Sequence, residues 1–150
     1  MSDDEVTAFL KESRKLQLGT INPDGTPHMV TMFYGLIDGQ IAFWTYGKAQ
    51  KTRNLERDPR VTCLVEGGDD YFELRGVLLY GTAHLVDEPK EILDIGMNIT
   101  KRMTGTSEAE ATNELRGYVE QTGRKRVAYI VEPTRVVSWD HRKLSAPASA

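Results

Sequence analysis

Tyr71-Phe-Glu-Leu-Arg-Gly-Val-Leu-Leu-Tyr-Gly-Thr-Ala-His-Leu-Val86 reads as one long strand. Its two glycines, Gly76 and Gly81, mark places where the strand bends, as a sheet curling into a barrel requires. Upstream lie a strand from Val61 to Glu66 and the turn Gly67-Gly68-Asp69-Asp70. Further back, Leu16, Leu18 and Thr20 alternate as a strand, and Asn22-Pro23-Asp24-Gly25 is a turn. A second strand runs from Pro27 to about Tyr34, Asp38-Gly39 turns the chain, and Ile41 to Tyr46 is a third strand. Downstream, Arg126 to Glu132 and Arg135 to Trp139 read as two strands separated by a Pro133 turn.

Helices interrupt this run. Ser2 and Glu5 fit a capping box ahead of Val6, Phe9 and Leu10. Gln50 to Arg57 forms a short basic helix that stops before Pro59, since the residue ahead of a proline disfavours helix. Ile92, Ile95, Ile99 and Met103 recur at helical spacing after Pro89. Ser107 to Gln121 is a further helix, with Glu110 three residues after its cap and Ala111, Leu115, Tyr118 and Val119 on its apolar face. About seven strands and three or four helices predict an α+β fold, a mostly antiparallel barrel with peripheral helices. One domain covers 1–144, and the small-residue tail 145–150 is expected to be disordered.

The bulk properties narrow the function classes. A chain of 150 residues buries about 70% of its unfolded surface, enough for one core. No apolar run approaches the roughly 20 residues of a membrane span. The N-terminus Met-Ser-Asp-Asp-Glu predicts no signal peptide, and Cys63 is the only cysteine; both suit a cytoplasmic protein. A formal net charge of −3 argues against nucleic-acid binding. His28, His84 and His141 lie far apart with no partners at metal-ligand spacing, so no metal site is expected. Nucleophile elbow, phosphate loop and dinucleotide fingerprint are all missing, which leaves an organic cofactor as the source of any enzymatic chemistry.

One local feature runs against the overall sign. Between Lys48 and Arg60 lie five cations (Lys48, Lys51, Arg53, Arg57, Arg60) and two acids (Glu56, Asp58). Such an island at a helix start suits an anionic ligand, because free N–H groups and the helix dipole add to the side-chain charge. The alternative is a solvated amphipathic helix.

Four segments together resemble the pyridoxamine 5'-phosphate oxidase-like split β-barrel family of flavin and deazaflavin oxidoreductases. They are Leu-Gly-Thr-Ile-Asn-Pro-Asp-Gly-Thr-Pro-His (18–28), Lys-Thr-Arg-Asn-Leu-Glu-Arg-Asp-Pro-Arg-Val (51–61), Gly-Thr-Ala-His-Leu-Val (81–86) and Val-Ser-Trp-Asp-His-Arg-Lys-Leu (137–144). The chain is most similar to the branch that uses coenzyme F420, a deazaflavin with a phosphate, lactyl and oligoglutamate tail. Members that hold flavin mononucleotide place an arginine and a lysine on the second barrel strand. Here that strand reads His28-Met-Val-Thr-Met-Phe-Tyr34 and has neither. Flavin mononucleotide stays as the alternative cofactor, since Thr45, Lys48 and Lys51 suffice for one phosphate.

The resemblance implies a homodimer with the cofactor at the interface and a hydride passed from reduced deazaflavin to a conjugated small molecule. The alternatives are an oxidoreductase using flavin mononucleotide and a non-catalytic cofactor or tetrapyrrole carrier. Lys51 and Lys48 would pair with the cofactor phosphate or its carboxylates, or be solvated. Thr45 and Tyr46 would offer donors to ring or linker. Asn54 would reach the same ligand or sit packed under the barrel. Val30 and Thr31 would line the ring, or one of them the core. Trp139 would stack on a ligand from the second subunit or anchor the interface, and His141 is a candidate proton donor with no other catalytic residue evident. Arg53, about 200° around the helix from Lys51, is expected in a salt bridge, and Arg75 in the pocket or paired with an acid.

Overall fold

The computed structural model describes residues 1–106 and 113–144. Helix α1 (Asp3–Glu12) begins with the expected capping box: Ser2 Oγ accepts from the Glu5 N–H at 3.2 Å and Glu5 Oε1 from the Ser2 N–H at 3.0 Å. Strands β1 (Lys15–Ile21), β2 (Pro27–Phe33), β3 (Gly35–Ile37) and β4 (Gln40–Tyr46) follow. Then come α2 (Gln50–Arg57), β5 (Arg60–Gly67), β6 (Arg75–Val86), α3 (Pro89–Thr104), α4 (Asn113–Gly123) and β7 (Arg126–Asp140). The seven strands form one antiparallel sheet in the order β2-β1-β5-β6-β7-β4-β3, curled into a half-barrel. The sequence-predicted helix start at Ser107, Glu110 and Ala111, and the tail at 145–150, lie outside the described residues.

Three elements differ from the sequence reading, each for a local reason. The long strand starts at Arg75, not Tyr71. Gly68, at φ +96°, brings the chain so close to the Glu73 carbonyl that a Cβ there would lie 2.4 Å from its oxygen, and Tyr71–Glu73 closes as a 3-10 turn. The break expected at Pro133 is a bulge within one strand. Gly81 faces Pro133 and Tyr80 faces Arg135, leaving Thr134 as the extra residue, with its Oγ1 donating to the Tyr80 carbonyl at 3.1 Å. A bulge tolerates a proline because no ladder N–H is needed there. The third difference is β3. Asp38 and Gly39 both have positive φ, 50° and 80°, which suits a two-residue hairpin that pairs Ile37 with Gln40.

The sheet separates two apolar clusters. Leu16, Leu18, Cys63, Val65, Val77 and Leu79 fill the barrel with Phe9 and Leu10 of α1 and Leu55 of α2. Burial pushes the Cys63 thiol up to about 12, so it is an inert core residue. Arg102 of α3 closes this end: it donates to the carbonyls of Leu10 (3.1 Å), Ser13 (2.6 Å) and Tyr34 (3.1 Å).

The second cluster joins the helices to the sheet. Ala42, Trp44, Val86 and Ala128 meet Ile92, Ile95 and Ile99 of α3 and Val119 of α4. Trp44, 8% exposed, fills a slot between two glycines. A Cβ on Gly96 would lie 2.4 Å from its ring, and one on Gly123 would lie 3.1 Å away. Alanine normally stabilises a helix by about 1 kcal/mol relative to glycine. Gly117→Ala on α4, with open space around it, should show that gain in urea denaturation. Gly96→Ala should have the opposite sign, a net loss of about 1–2 kcal/mol, because the overpacked indole cannot retreat.

Candidate functional site

β3 covers β4 only as far as Ala42, so from Phe43 to Tyr46 one backbone edge of β4 has no neighbouring strand. A cleft of about 320 Å³ opens there. Met32 and Phe33 of β2, Ile99, Thr100 and Met103 of α3, and Tyr118 and Thr122 of α4 form its walls, which mix apolar and polar surface. Trp44, Thr45 and Tyr46 form its floor, and Lys51 and Arg126 bring positive charge.

Three observations make this cleft the candidate ligand site. Thr45 is 3% exposed, and its Oγ1 is buried with no hydrogen-bond partner. A buried hydroxyl left in this way costs about 1–3 kcal/mol. Lys51 is half-buried with no carboxylate in ion-pair range among the described residues, and its pKa is lowered, first by burial and second by the charge of Arg126. Arg126 lies 4.5 Å from the ring centroids of both Trp44 and Tyr46, and donates from Nε to the Thr122 carbonyl at 3.1 Å and from Nη2 to Tyr46 Oη at 3.4 Å. Two cations beside a partly apolar wall and an unanswered hydroxyl suit an anionic group attached to a flat apolar body.

A larger groove of about 640 Å³ runs across the outward face of the sheet, past Gly19, Met29, Thr62, Tyr80 and Thr134. It lacks these features: its cation Arg60 is neutralised by Asp58 at 2.7 Å, and neither of the unpartnered buried atoms lies in its lining.

Of the residues named from sequence, the cleft gathers Thr45, Tyr46 and Lys51. The others lie elsewhere. Lys48 is exposed on the turn after β4. Asn54 is fully buried, its amide donating to Thr20 Oγ1 (3.0 Å) and Asn22 Oδ1 (3.1 Å) and its oxygen accepting from Gln50 (2.9 Å), so it pins α2 to β1. On β2 the cleft takes Met32 and Phe33; Val30 packs against the barrel core and Thr31 is exposed on the outward face. Trp139 lies flat on Gly76, where a Cβ would come within 2.1 Å of the indole. It stands thirteen residues along β7 from Arg126 and is not among the residues that line the cleft. His141 follows it, with Nδ1 bonded to the Tyr71 carbonyl at 2.8 Å.

The positive island does not act as a unit. Arg57 donates to the Ile21 carbonyl, and Arg60 is paired with Asp58. Arg53, expected in a salt bridge, is exposed with no ion pair among the described residues, because it projects from the solvent side of α2. Arg75 pairs with Glu12 at 2.6 Å and lies over Phe9, tying α1 to β6 and leaving the cleft. The second cation of the cleft is Arg126, which the sequence reading used only as a strand start. The run Arg124-Lys125-Arg126 was its one signal.

The unpartnered hydroxyl gives a sign test. Thr45→Val should stabilise the ligand-free protein by about 1 kcal/mol in urea denaturation, since it removes a desolvated group that makes no bond. A loss of stability would show that the hydroxyl serves the fold.

Residues 2–140 match the family described as pyridoxamine 5'-phosphate oxidase. The chain is similar over its whole length to the crystal structure of the conserved hypothetical protein Rv2991 from Mycobacterium tuberculosis, with 43% identity, 91% of that chain covered and a TM-score of 0.91. Two more distant structures share the fold. An F420 reductase is 23% identical, with 87% of this chain and 94% of that one covered and a TM-score of 0.65. The heme storage protein HutZ from Vibrio cholerae is 17% identical, with 90% and 92% covered and a TM-score of 0.68. No curated protein matches the chain.

Proposed function

The chain belongs to the pyridoxamine 5'-phosphate oxidase family, and we propose that it is a homodimeric oxidoreductase dependent on coenzyme F420, with the cofactor's phosphoryl group in the cleft at the end of β4. The observation that carries this reading is that the unpartnered Thr45 hydroxyl borders the same cleft as Lys51, a lysine with no ion-paired acid among the described residues. The preference for deazaflavin over flavin mononucleotide is supported by β2, which offers the cleft Met32 and Phe33 in place of cations.

In this reading Lys51 answers the phosphoryl charge and Thr45 donates its hydroxyl to a cofactor oxygen. Tyr46 borders the linker, while Met32, Phe33, Ile99 and Met103 exclude water from the ring. Lys48, on the adjoining turn, reaches carboxylates of a longer tail. Bound reduced deazaflavin supplies a hydride for an electron-poor double bond of a conjugated small molecule. The chain's own contribution is orientation and exclusion of water. The proton that completes the reduction comes from solvent or from His141, whose Nδ1 donates to the Tyr71 carbonyl and whose Nε2 would first have to take up the proton it passes on.

The homodimer is supported by the outward face of the sheet. Met29 (55% exposed), Phe33 and Tyr80 lie on that face beside Leu64, Leu78, Val137 and Trp139, an apolar surface of a kind that commonly packs against another protein. A second copy on this face would bring Trp139 and His141 toward a cleft they do not reach in their own chain. Light scattering should give twice the 16.9 kDa chain mass, and a stable monomer would remove Trp139 and His141 from the site.

Fluorescence titration with F420 and with flavin mononucleotide tests the cofactor. F420 should bind, and Lys51→Ala should weaken it by roughly 1.5–3 kcal/mol at low salt without lowering the melting temperature. Tight flavin binding with no deazaflavin binding would contradict the reading. Binding without oxidation of reduced deazaflavin by a broad acceptor panel would assign the chain to cofactor carriage.

A further inference from the structure

The charge of the cleft is shared between two elements that are far apart in sequence. Lys51 comes from the start of α2 and Arg126 from the start of β7, where it is the register partner of Tyr46. A purely structural arginine would have its donors satisfied within the fold. Arg102 is such a residue, with Nε, Nη1 and Nη2 all bonded to carbonyls. Arg126 is different. Only Nε and Nη2 have partners, and Nη1 has none among the described residues. No acid pairs with it there either.

The guanidinium carbon of Arg126 is held 4.5 Å from the ring centroids of both Trp44 and Tyr46. A guanidinium held in this way presents its free N–H groups in a set direction, at little entropic cost to a ligand with two acceptor oxygens. Its neighbour Lys51 is a point charge and imposes no such geometry. Burial first, and the charge of Arg126 second, make Lys51 hold its proton less firmly. Thr45 Oγ1, buried and unpartnered, lies on the barrel-side face of β4, opposite Tyr46 and Arg126, at the same open strand edge.

We propose that Arg126 is the specificity-determining residue of the cleft, a second anion-binding group that, with Lys51, selects a phosphoryl group over a lone carboxylate or a neutral tail. The inference deepens the functional reading above and rests on it for the identity of the ligand, but not for its charge. The shared chemistry is a phosphoryl oxyanion, which is a diester in F420 and a monoester in flavin mononucleotide.

The test uses Arg126→Gln and Arg126→Lys in the full chain. Each is titrated at low ionic strength with F420, with the phosphate-free deazaflavin riboside, with flavin mononucleotide and riboflavin, and with inorganic pyrophosphate. Arg126→Gln should weaken the phosphorylated member of whichever pair binds by about 10–100-fold and leave its phosphate-free partner within about twofold. Arg126→Lys should recover only part of the loss, since it restores charge and not the fork. Equal losses for both members of a pair, or no loss, would overturn the proposal. If Arg126→Gln fails to fold, Arg126→Lys carries the test alone: it should weaken the phosphorylated ligand and spare its phosphate-free partner, and equal losses would overturn the proposal. If the wild type binds neither ring, pyrophosphate decides. Binding that Arg126→Gln abolishes supports the phosphoryl site and removes the deazaflavin reading, whereas no pyrophosphate binding sinks both.

Discussion

Trp44 stands where a strand and two helices meet, and the geometry of the cleft depends on how it is packed. Its indole enters a slot that exists only because Gly96 and Gly123 have no side chains. An aromatic side chain of this size is a large apolar payload, and burying it against both helices holds α3 and α4 onto the sheet. The same ring carries Arg126 on its surface. One packing decision therefore fixes the helical wall of the cleft and the position of its second cation. Any change that moved the indole would disturb both together.

The cleft also stores a conflict. Two cations, no carboxylate and an unanswered hydroxyl are unfavourable in a free protein. Elsewhere the chain resolves most such groups, His28 Nδ1 on β2 being the other buried atom with no partner among the described residues. Asn54 uses its amide fully, Arg102 is bonded to four carbonyls, and Asp140 is held at about 2 by Arg142 beside it. The contrast locates the site more sharply than size does, because the larger groove on the sheet face carries no comparable strain. A protein that tolerates this cost at one place gains affinity for a ligand that relieves it.

Much of the fold was legible because its signals are local. The capping box at Ser2, the turn at Asp38-Gly39 and the stop before Pro59 are each decided within a few residues, and α2 spans the expected Gln50–Arg57. At Pro133, where the reading differed, the deciding contact was distant. Pro133 looks like a strand break until Gly81, on the neighbouring strand, is seen to accommodate a bulge. The site divides in the same way. Thr45, Tyr46 and Lys51 are near neighbours in the chain and were found together. Arg126 is 80 residues from Tyr46 and joins it only through the β4–β7 ladder. The island of charge from Lys48 to Arg60 was partly misleading, since helix geometry sends Lys51 inward and Arg53 to solvent.

The central claim is that the ligand's anion sits at the open end of β4 and not in the larger groove. Amide chemical-shift mapping of the wild-type protein during addition of F420 tests it most directly. The account predicts perturbations concentrated at Trp44 to Lys51 and at Arg126. Shifts confined to Gly19, Thr62, Tyr80 and Thr134, with the cleft unaffected, would contradict it.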